Sequence, residues 1–436
     1  MFRAQHRVLF LTSAAFNKIT GGGITFSNLF AGWPKEALAT VHNDTVPVTY
    51  DTCDQYYRLS EREIHRWGWL RHIPLGRPVA DATMSASPGA PPGLAFRLLK
   101  TVKYLVFGDA IPESTKLSSE LEAWIADFRP TVLYTILGSN AMMELAERIR
   151  VRFDLPLVVH IMDDWVSVLY WGGLLSPWQR RKKEVLMQHL MDVATVRLAI
   201  GDAMADAYQQ RYGRSFEAFQ NPVELQRWNA YTKTDLSVEA PVRVAYIGSI
   251  FNFAQLDSLV DCCAAIQALA NAGMAIRLDI FSPAHLAGQH RECLVCGSAI
   301  ALHDTLSNDE VFFRTLQSAD ILLLPVNFDD YTVAYIRYSM PTKVPAYLAV
   351  GTPILAYGPS EVAQIAYAEQ AGWGFTVTRR DPEALKEGVR RLATDMALRR
   401  RLNTRARETA YARHDANTVR NAFQDTLNEA AKHCPD

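Results

Sequence analysis

The sequence predicts an α/β protein built from two doubly wound, Rossmann-like domains that face a central cleft. Three observations lead there. The chain has 436 residues, and a single core rarely grows past roughly 250–300 residues, so two domains are expected. Short apolar runs of strand length alternate with longer stretches of helical spacing, the pattern of parallel sheets covered by helices. That alternation starts twice, at RVLFLT (7–12) and at VRVAYIGS (242–249), with the polar stretch NAYTKTDLSVEAP (229–241) between. The expected division is a first domain over 1–228, a linker over 229–241, and a second domain over 242–412. A C-terminal helix over 413–436 is expected to pack back toward the first domain.

Composition narrows the function classes. Hydrophobic residues are 49% and charged residues 21% of the chain, which is globular composition. The net charge of −1 supplies no overall field for nucleic acid. No apolar run has the length that spans a bilayer. Six cysteines in a chain of this size fit a reducing cytoplasm. The N-terminal MFRAQHRVLFLTS reads as a first buried strand rather than a signal peptide, because its apolar part is short and runs into Asn17 and Lys18.

In the first half, strand 7–12 leads to Gly21, Gly22 and Gly23, then to a helix with apolar residues at Ile24, Phe26, Leu29 and Phe30. Glycines between a strand and a helix let backbone approach a ligand, or they simply make a flexible turn. A second strand is expected within 38–51, and MSASPGAPPG (84–93) is a loop by composition. Helices are expected at 98–108, 117–130 and 139–153, and strands at 131–137 and 156–162. The last strand runs into His160, Asp163 and Asp164. Ligands of open α/β sheets sit beyond the carboxyl ends of strands, so these side chains read as acceptor or proton-handling groups. The alternative is a helix-capping Asp and a core His. WVSVLYWGGLLSPWQRRKKEVLMQHLM (165–191) mixes tryptophans with Arg180, Arg181, Lys182 and Lys183. Such a stretch suits contact with an anionic membrane surface, or is a solvated helix face.

The second half repeats the grammar through ILLLPV (321–326), with a capping box at Ser307 and Glu310. Cys293-x-x-Cys296, with His285, His290 and His303 nearby, lacks the second ligand pair of a zinc site and reads better as two small apolar residues. No metal is expected. The most informative stretch is FDDYTVAYIRYSMPTKVPAYLAVGTPILAY (328–357). Thr342 is placed to cap a helix, Gly351 to end it, and Pro353 to stop its continuation. Arg337, Ser339, Thr342 and Lys343 then gather at a helix N-terminus. They read either as a phosphate-type anion site or as an ordinary cap with solvated charges.

Taken together, Gly21–Gly23, FQNPVELQRW (219–228), VAYIGS, LQSADILLLPV, SMPTKVPAYLAVGTPIL and the tail RRLATDMALRRRLNTRARETAYARHDANTVRNAF resemble the retaining GT-B glycosyltransferases of the family 4 type. The resemblance covers nearly the whole chain. It implies a hexosyltransferase-type enzyme that moves a sugar, with retention, from a nucleotide-diphosphate donor to a hydroxyl acceptor. By position, Gly21, Gly22 and Gly23 would approach the donor, and Gly248 and Ser249 would lie under its diphosphate. Arg337, Tyr338, Ser339, Pro341, Thr342, Lys343 and Ala346 would line its pocket, and His160 would stand beside the transferred sugar.

The sequence also departs from that pattern. The family's E-x7-E glutamates fall on Tyr338 and Ala346, counted back from Gly351, and no cation follows Gly248 in SIFNFAQLD. The diphosphate charge would then fall to Arg337, Lys343 and helix N-termini, and Asp329 or Asp330 could replace a lost sugar contact. The implied partners are a nucleotide sugar and a glycan or lipid-linked acceptor of the cell envelope or of an exported polysaccharide, without a bound cofactor. The implied location is the cytoplasm, with peripheral contact at the inner face of the inner membrane. If transfer inverted, Asp163 or His160 would be the base. A sugar-nucleotide epimerase and a non-catalytic glycan- or partner-binding protein are the alternatives.

Overall fold

The computed structural model describes residues 6–66, 94–306 and 308–432. Residues 84–93 and Ser307, named above, lie outside them. The strands are β1 (Val8–Thr12), β2 (Leu38–His42), β3 (Gln55–Arg58), β4 (Ile64–Arg66), β5 (Glu113–Thr115), β6 (Val132–Thr135), β7 (Leu157–Ile161), β8 (Val196–Ala199), β9 (Glu217–Ala218), β10 (Val242–Ile247), β11 (Ile276–Phe281), β12 (Ile300–His303), β13 (Ile321–Pro325), β14 (Ile354–Tyr357) and β15 (Gly374–Val377). The chain forms two compact units. One comprises Met1–Gln220 with Arg420–Asp436, the other Asn221–Val419.

The first unit holds a parallel sheet in the order β3-β2-β1-β6-β7-β8-β9, beside a small antiparallel β4-β5 pair. The second holds a parallel sheet in the order β12-β11-β10-β13-β14-β15. Both orders reverse beside their first strand, as in doubly wound folds. Burial on both faces explains the sequence signal. Val8, Leu9, Phe10 and Leu11 of β1 are fully buried, as are Ile321 and Leu322 of β13, so parallel strands read as unbroken apolar runs. In β10, Val244 pairs with Leu278 on one side and Ile321 on the other.

Helix ends follow local chemistry where the needed group is adjacent. Gly213 and Gly351 close helices Asp202–Tyr212 and Val344–Val350 in left-handed conformation, at φ 67° and 77°. Asn308 caps helix Asp309–Ser318, accepting from Val311 N. The strand expected within 38–51 is confined to β2.

Residues 229–241, expected as a linker, lie inside the second unit. The Lys233 N–H donates to Val350 O at 2.8 Å, its ammonium donates to Gln317 O at 2.9 Å, and Leu236 is buried. A polar composition conceals this role because the segment is held through backbone and Lys contacts rather than through an apolar face. Helix Ala416–Ala431 contributes to the first unit from Arg420 onward. There Phe423 is fully buried, with ring centroids 5.1 Å from Phe30, 5.5 Å from Phe219 and 5.8 Å from Tyr134.

Candidate functional site

In the second unit the sheet reverses between β10 and β13, so the carboxyl end of β10 is where a ligand is expected. Gly248 follows β10 with φ 142°, and its N–H donates to Phe281 O at 3.0 Å. Lys343 reaches back to this point across the sequence. Its ammonium donates to Ile247 O at 3.2 Å and stands 4.1 Å from the Tyr246 ring centroid and 6.0 Å from that of Tyr347. A Cβ on Gly248 would lie 3.2 Å from Lys343 Nζ. The backbone conformation favours glycine, and a side chain there would also crowd the ammonium by a few tenths of an ångström.

The electrostatics of Lys343 follow from that setting. The residue keeps some surface, but its ammonium is enclosed by aromatic rings and backbone. Among the described residues no carboxylate pairs with it. Burial alone pushes its pKa down to about 7. Two aromatic faces and one carbonyl stabilise the cation only partly. The charge is uncompensated, at a strand end, and an anion would compensate it.

The loop after Gly248 carries aromatics where a cation was sought. The Phe251 and Phe253 rings stack at 5.3 Å with 7° between planes, and Tyr335 meets Phe253 edge-on at 5.7 Å. Tyr246 Oη donates to Ser249 O at 2.6 Å, and Gln255 Nε2 donates to the same carbonyl and to Tyr246 Oη. Ser249 thus takes part through its backbone. The repeated aromatics in SIFNF were the available signal for this wall.

The other residues of the predicted cluster make contacts of their own. Thr342 is not the cap of helix Val344–Val350. Lys343 holds that position with φ −77° and ψ −22° and no side-chain cap, because Pro341 O already accepts from Val344 N at 3.1 Å. Thr342 O accepts from Asn221 Nδ2 at 2.9 Å. Arg337 is exposed, ends helix Asp330–Ile336, and lies 5.7 Å from the Tyr338 ring. Ser339 is nearly buried, its N–H donating to Ile336 O at 3.0 Å. Ala346 packs into the apolar core with Tyr347 and Leu348. Asp329 caps helix Asp330–Ile336 through Thr332 N and Oγ1, at 2.9 and 2.6 Å, and is committed to that turn.

In the first unit, Gly21, Gly22 and Gly23 form the first turn of helix Gly21–Leu29 rather than a loop. Thr20 caps it by accepting from Gly23 N at 3.2 Å. A Cβ on Gly23 would lie 2.2 Å from Asn17 Nδ2. Asn17 is itself buried and accepts from Ile19 N and Thr20 N at 2.9 and 2.7 Å. Gly23 is thus a packing requirement. The sheet here reverses between β1 and β6. Beyond β6, Leu137 at φ 59° and Gly138 at φ 118° take left-handed backbone, with a Gly138 Cβ position 3.5 Å from Ser13 Oγ. Positive φ at Leu is costly and marks a constrained turn at a strand end. Nothing in the local sequence announces it.

His160 is a core residue. It is fully buried in β7, its Nδ1 is 2.7 Å from Tyr134 Oη, and burial drives its pKa to about 3 despite the Ala199 backbone beside it. It is neutral and shielded, which removes it as a solvent-facing base. The neighbouring aspartates divide. Asp164 takes two hydrogen bonds from Arg211 at 2.9 and 3.1 Å and one each from Tyr208 and Ser167 at 2.7 Å. Its pKa is lowered because Arg211 and these donors outweigh desolvation. It is a structural anchor. Asp163 is only half-buried at the end of β7. In the thiol region, Cys293 Sγ donates to His290 O at 3.1 Å and His303 pairs with Asp279 at 2.8 Å. Two hollows on the first unit, of about 450 Å³ beside Lys116 and about 770 Å³ beside Tyr56 and Trp124, include none of these candidate residues.

No protein-family model matches the sequence, and no curated protein matches it. Solved structures do match over the whole chain. Sucrose-phosphate synthase from Thermosynechococcus elongatus is 13% identical with a TM-score of 0.60, over 97% of this chain and 98% of that one. HepE from Anabaena, solved with UDP-glucose, is 12% identical with a TM-score of 0.58, over 97% and 100%. A glycosyltransferase from Rickettsia africae is 9% identical with a TM-score of 0.61, over 99% and 100%. The chain has the GT-B fold of two Rossmann-like units.

Proposed function

We propose that the chain is a glycosyltransferase that moves a sugar from a nucleotide-diphosphate donor to a hydroxyl acceptor, with the donor diphosphate at the carboxyl end of β10. One observation carries this reading: Lys343, desolvated and unpaired by any carboxylate among the described residues, set against the glycine that follows β10. The fold supports it, since HepE shares that fold and was solved with UDP and with UDP-glucose. Glycosyl transfer from such a donor builds charge on the departing diphosphate and oxocarbenium-like charge on the sugar. A fixed cation at the departing phosphate stabilises the first of these. Phe251 and Phe253 would supply a stacking wall in place of the missing cation of that loop. Retention is the stereochemistry we propose, with the departing phosphate oxygen taking the acceptor proton. The resemblance to retaining enzymes supports this, and Asp163 is the base we assign if transfer inverts. The acceptor we assign is a glycan or lipid-linked hydroxyl.

A thermal-shift panel of UDP, GDP, ADP and CMP is the direct test. One nucleoside diphosphate is expected to raise Tm by several degrees at about 100 times its Kd, through a linkage of about 2.7 kcal/mol. No shift with any of them would overturn the assignment.

Binding should also depend on pH. A diphosphate beside Lys343 favours its charged form and raises its pKa above the free value of about 7. Between the two values binding takes up a proton. Affinity for the intact nucleotide sugar is therefore expected to fall as pH rises above about 7, and to be level below it. Calorimetric titration of the donor in buffers of different ionisation enthalpy reads that proton uptake. A flat profile would separate Lys343 from the phosphates.

A further inference from the structure

The first unit carries an exposed aromatic and aliphatic surface that none of the proposed chemistry uses. It joins two segments far apart in sequence. The first is the end of helix Leu94–Phe107, where Val102, Tyr104 and Leu105 are 48%, 54% and 63% exposed. The second is the loop leading into helix Ser176–Val193 and that helix's first turn, where Trp171 and Leu174 in the loop and Trp178 in the helix are 53%, 80% and 54% exposed.

Their proximity is enforced by backbone. Leu174 N donates to Leu105 O and Leu175 N to Val106 O, both at 2.8 Å, and Asp109 N donates to Trp171 O at 3.1 Å. Gly108 and Gly173 sit in left-handed backbone at φ 69° and 73°, and a Cβ on Gly173 would lie 2.2 Å from Gly108 N. The loop is held tightly against the helix end, with Leu174 presented outward. Ser176 Oγ donates to Phe107 O at 3.3 Å and Gln179 Nε2 to Ala110 O at 2.9 Å. These contacts anchor the inner side of the next helix, leaving Trp178 and Arg181 on its exposed side.

We propose that this surface docks on an anionic lipid bilayer. Large exposed apolar side chains gathered in this way mark an interaction site. Charge decides its occupant. Arg180 lies 4.7 Å from the Trp171 ring centroid, and Arg181 is exposed beside Trp178. Cations bordering Trp, Tyr and Leu match a layer of acidic headgroups over acyl chains, where amphipathic rings sit at the boundary. A second copy of the chain paired about a twofold axis would bring the same arginines together and repel. Among the described residues no helix is long and apolar enough to cross a membrane, and the contact we propose is made by this surface alone.

The test is co-sedimentation of the full chain with vesicles of phosphatidylcholine containing roughly one-third phosphatidylglycerol. It is run without nucleotide, so it stands apart from the transfer reaction. Binding is expected to the mixed vesicles, to weaken in phosphatidylcholine alone, and to weaken again in about 0.5 M salt. The double variant Leu105→Glu/Leu174→Glu is expected to bind at least ~10-fold less at unchanged Tm, because two acyl contacts become repelled charges. Arg181→Glu gives a second, charge-only loss. Wild-type protein left in the supernatant, or a double variant that binds like wild type, overturns the proposal. So does self-association removed by the double variant without any vesicle binding, which would assign the surface to a second copy.

Discussion

Lys343→Met is expected to lower kcat for nucleotide-sugar turnover by about 10²–10³, the loss seen when one preorganised transition-state charge contact is removed. The same substitution should leave the apo protein at least as stable as the parent. Both expectations come from one fact. The ammonium is desolvated without a carboxylate partner among the described residues, which burial alone expresses as a pKa of about 7. Methionine keeps the chain length and apolar stem while removing the uncompensated charge, so folding loses a cost. The nucleotide-induced rise in Tm should disappear. Lys343→Arg should not rescue turnover, since a planar guanidinium is larger than the ammonium now held by the Ile247 carbonyl and the Tyr246 and Tyr347 rings. Steady-state kinetics and melting curves on the two variants read these effects. Parental kcat in Lys343→Met would remove the residue from the mechanism, and a clearly lower apo Tm would make it structural.

Phe423→Ala carries the largest expected stability effect, about 3–5 kcal/mol, the usual cost of emptying a buried aromatic site. The ring is fully buried within 5.8 Å of the Phe30, Phe219 and Tyr134 rings, and Leu427 on the same helix is also fully buried. Neighbours on several elements limit collapse into the vacated space. Urea unfolding should show the loss in the transition assigned to the first unit. A change below about 1 kcal/mol would mean that the helix is not part of that core.

Much of the fold was legible because its signals are local. Strands such as β1 and β13 read as apolar runs, since parallel strands bury both faces. Gly213 and Gly351 mark helix ends because only a left-handed residue closes those turns cheaply. The tail's helical character was equally readable.

The site was legible in part. Gly248 and Lys343 were both singled out as donor contacts, and the structure brings them together. Gly23 was singled out for a loop it does not form, because the demand on it comes from Asn17 in the preceding turn. His160 and Asp164 sit at a strand end, as read, but one is enclosed by the sheet and the other is held by Arg211, Tyr208 and Ser167. Burial and pairing of this kind depend on residues tens of positions away. Ala346 shows the same limit, since a helix position says little about which face the core takes.

By itself, then, the sequence determined two doubly wound α/β units, the place of the central strands but not of β3, β4, β5 or β9, and the glycine that ends the helix after Lys343. Periodicity, caps and turns act over a few residues, and those determine secondary structure. Only the tertiary structure decided that residues 229–241 belong to the second unit, that Phe423 completes the first core, and that the ammonium of Lys343 is desolvated beside Gly248. It alone joined Leu105 to Leu174 in one exposed surface. The energy of a buried charge or an exposed apolar side chain is set by what surrounds it in space, and contacts across more than ninety positions, as from Ile247 to Lys343, leave no mark in local pattern.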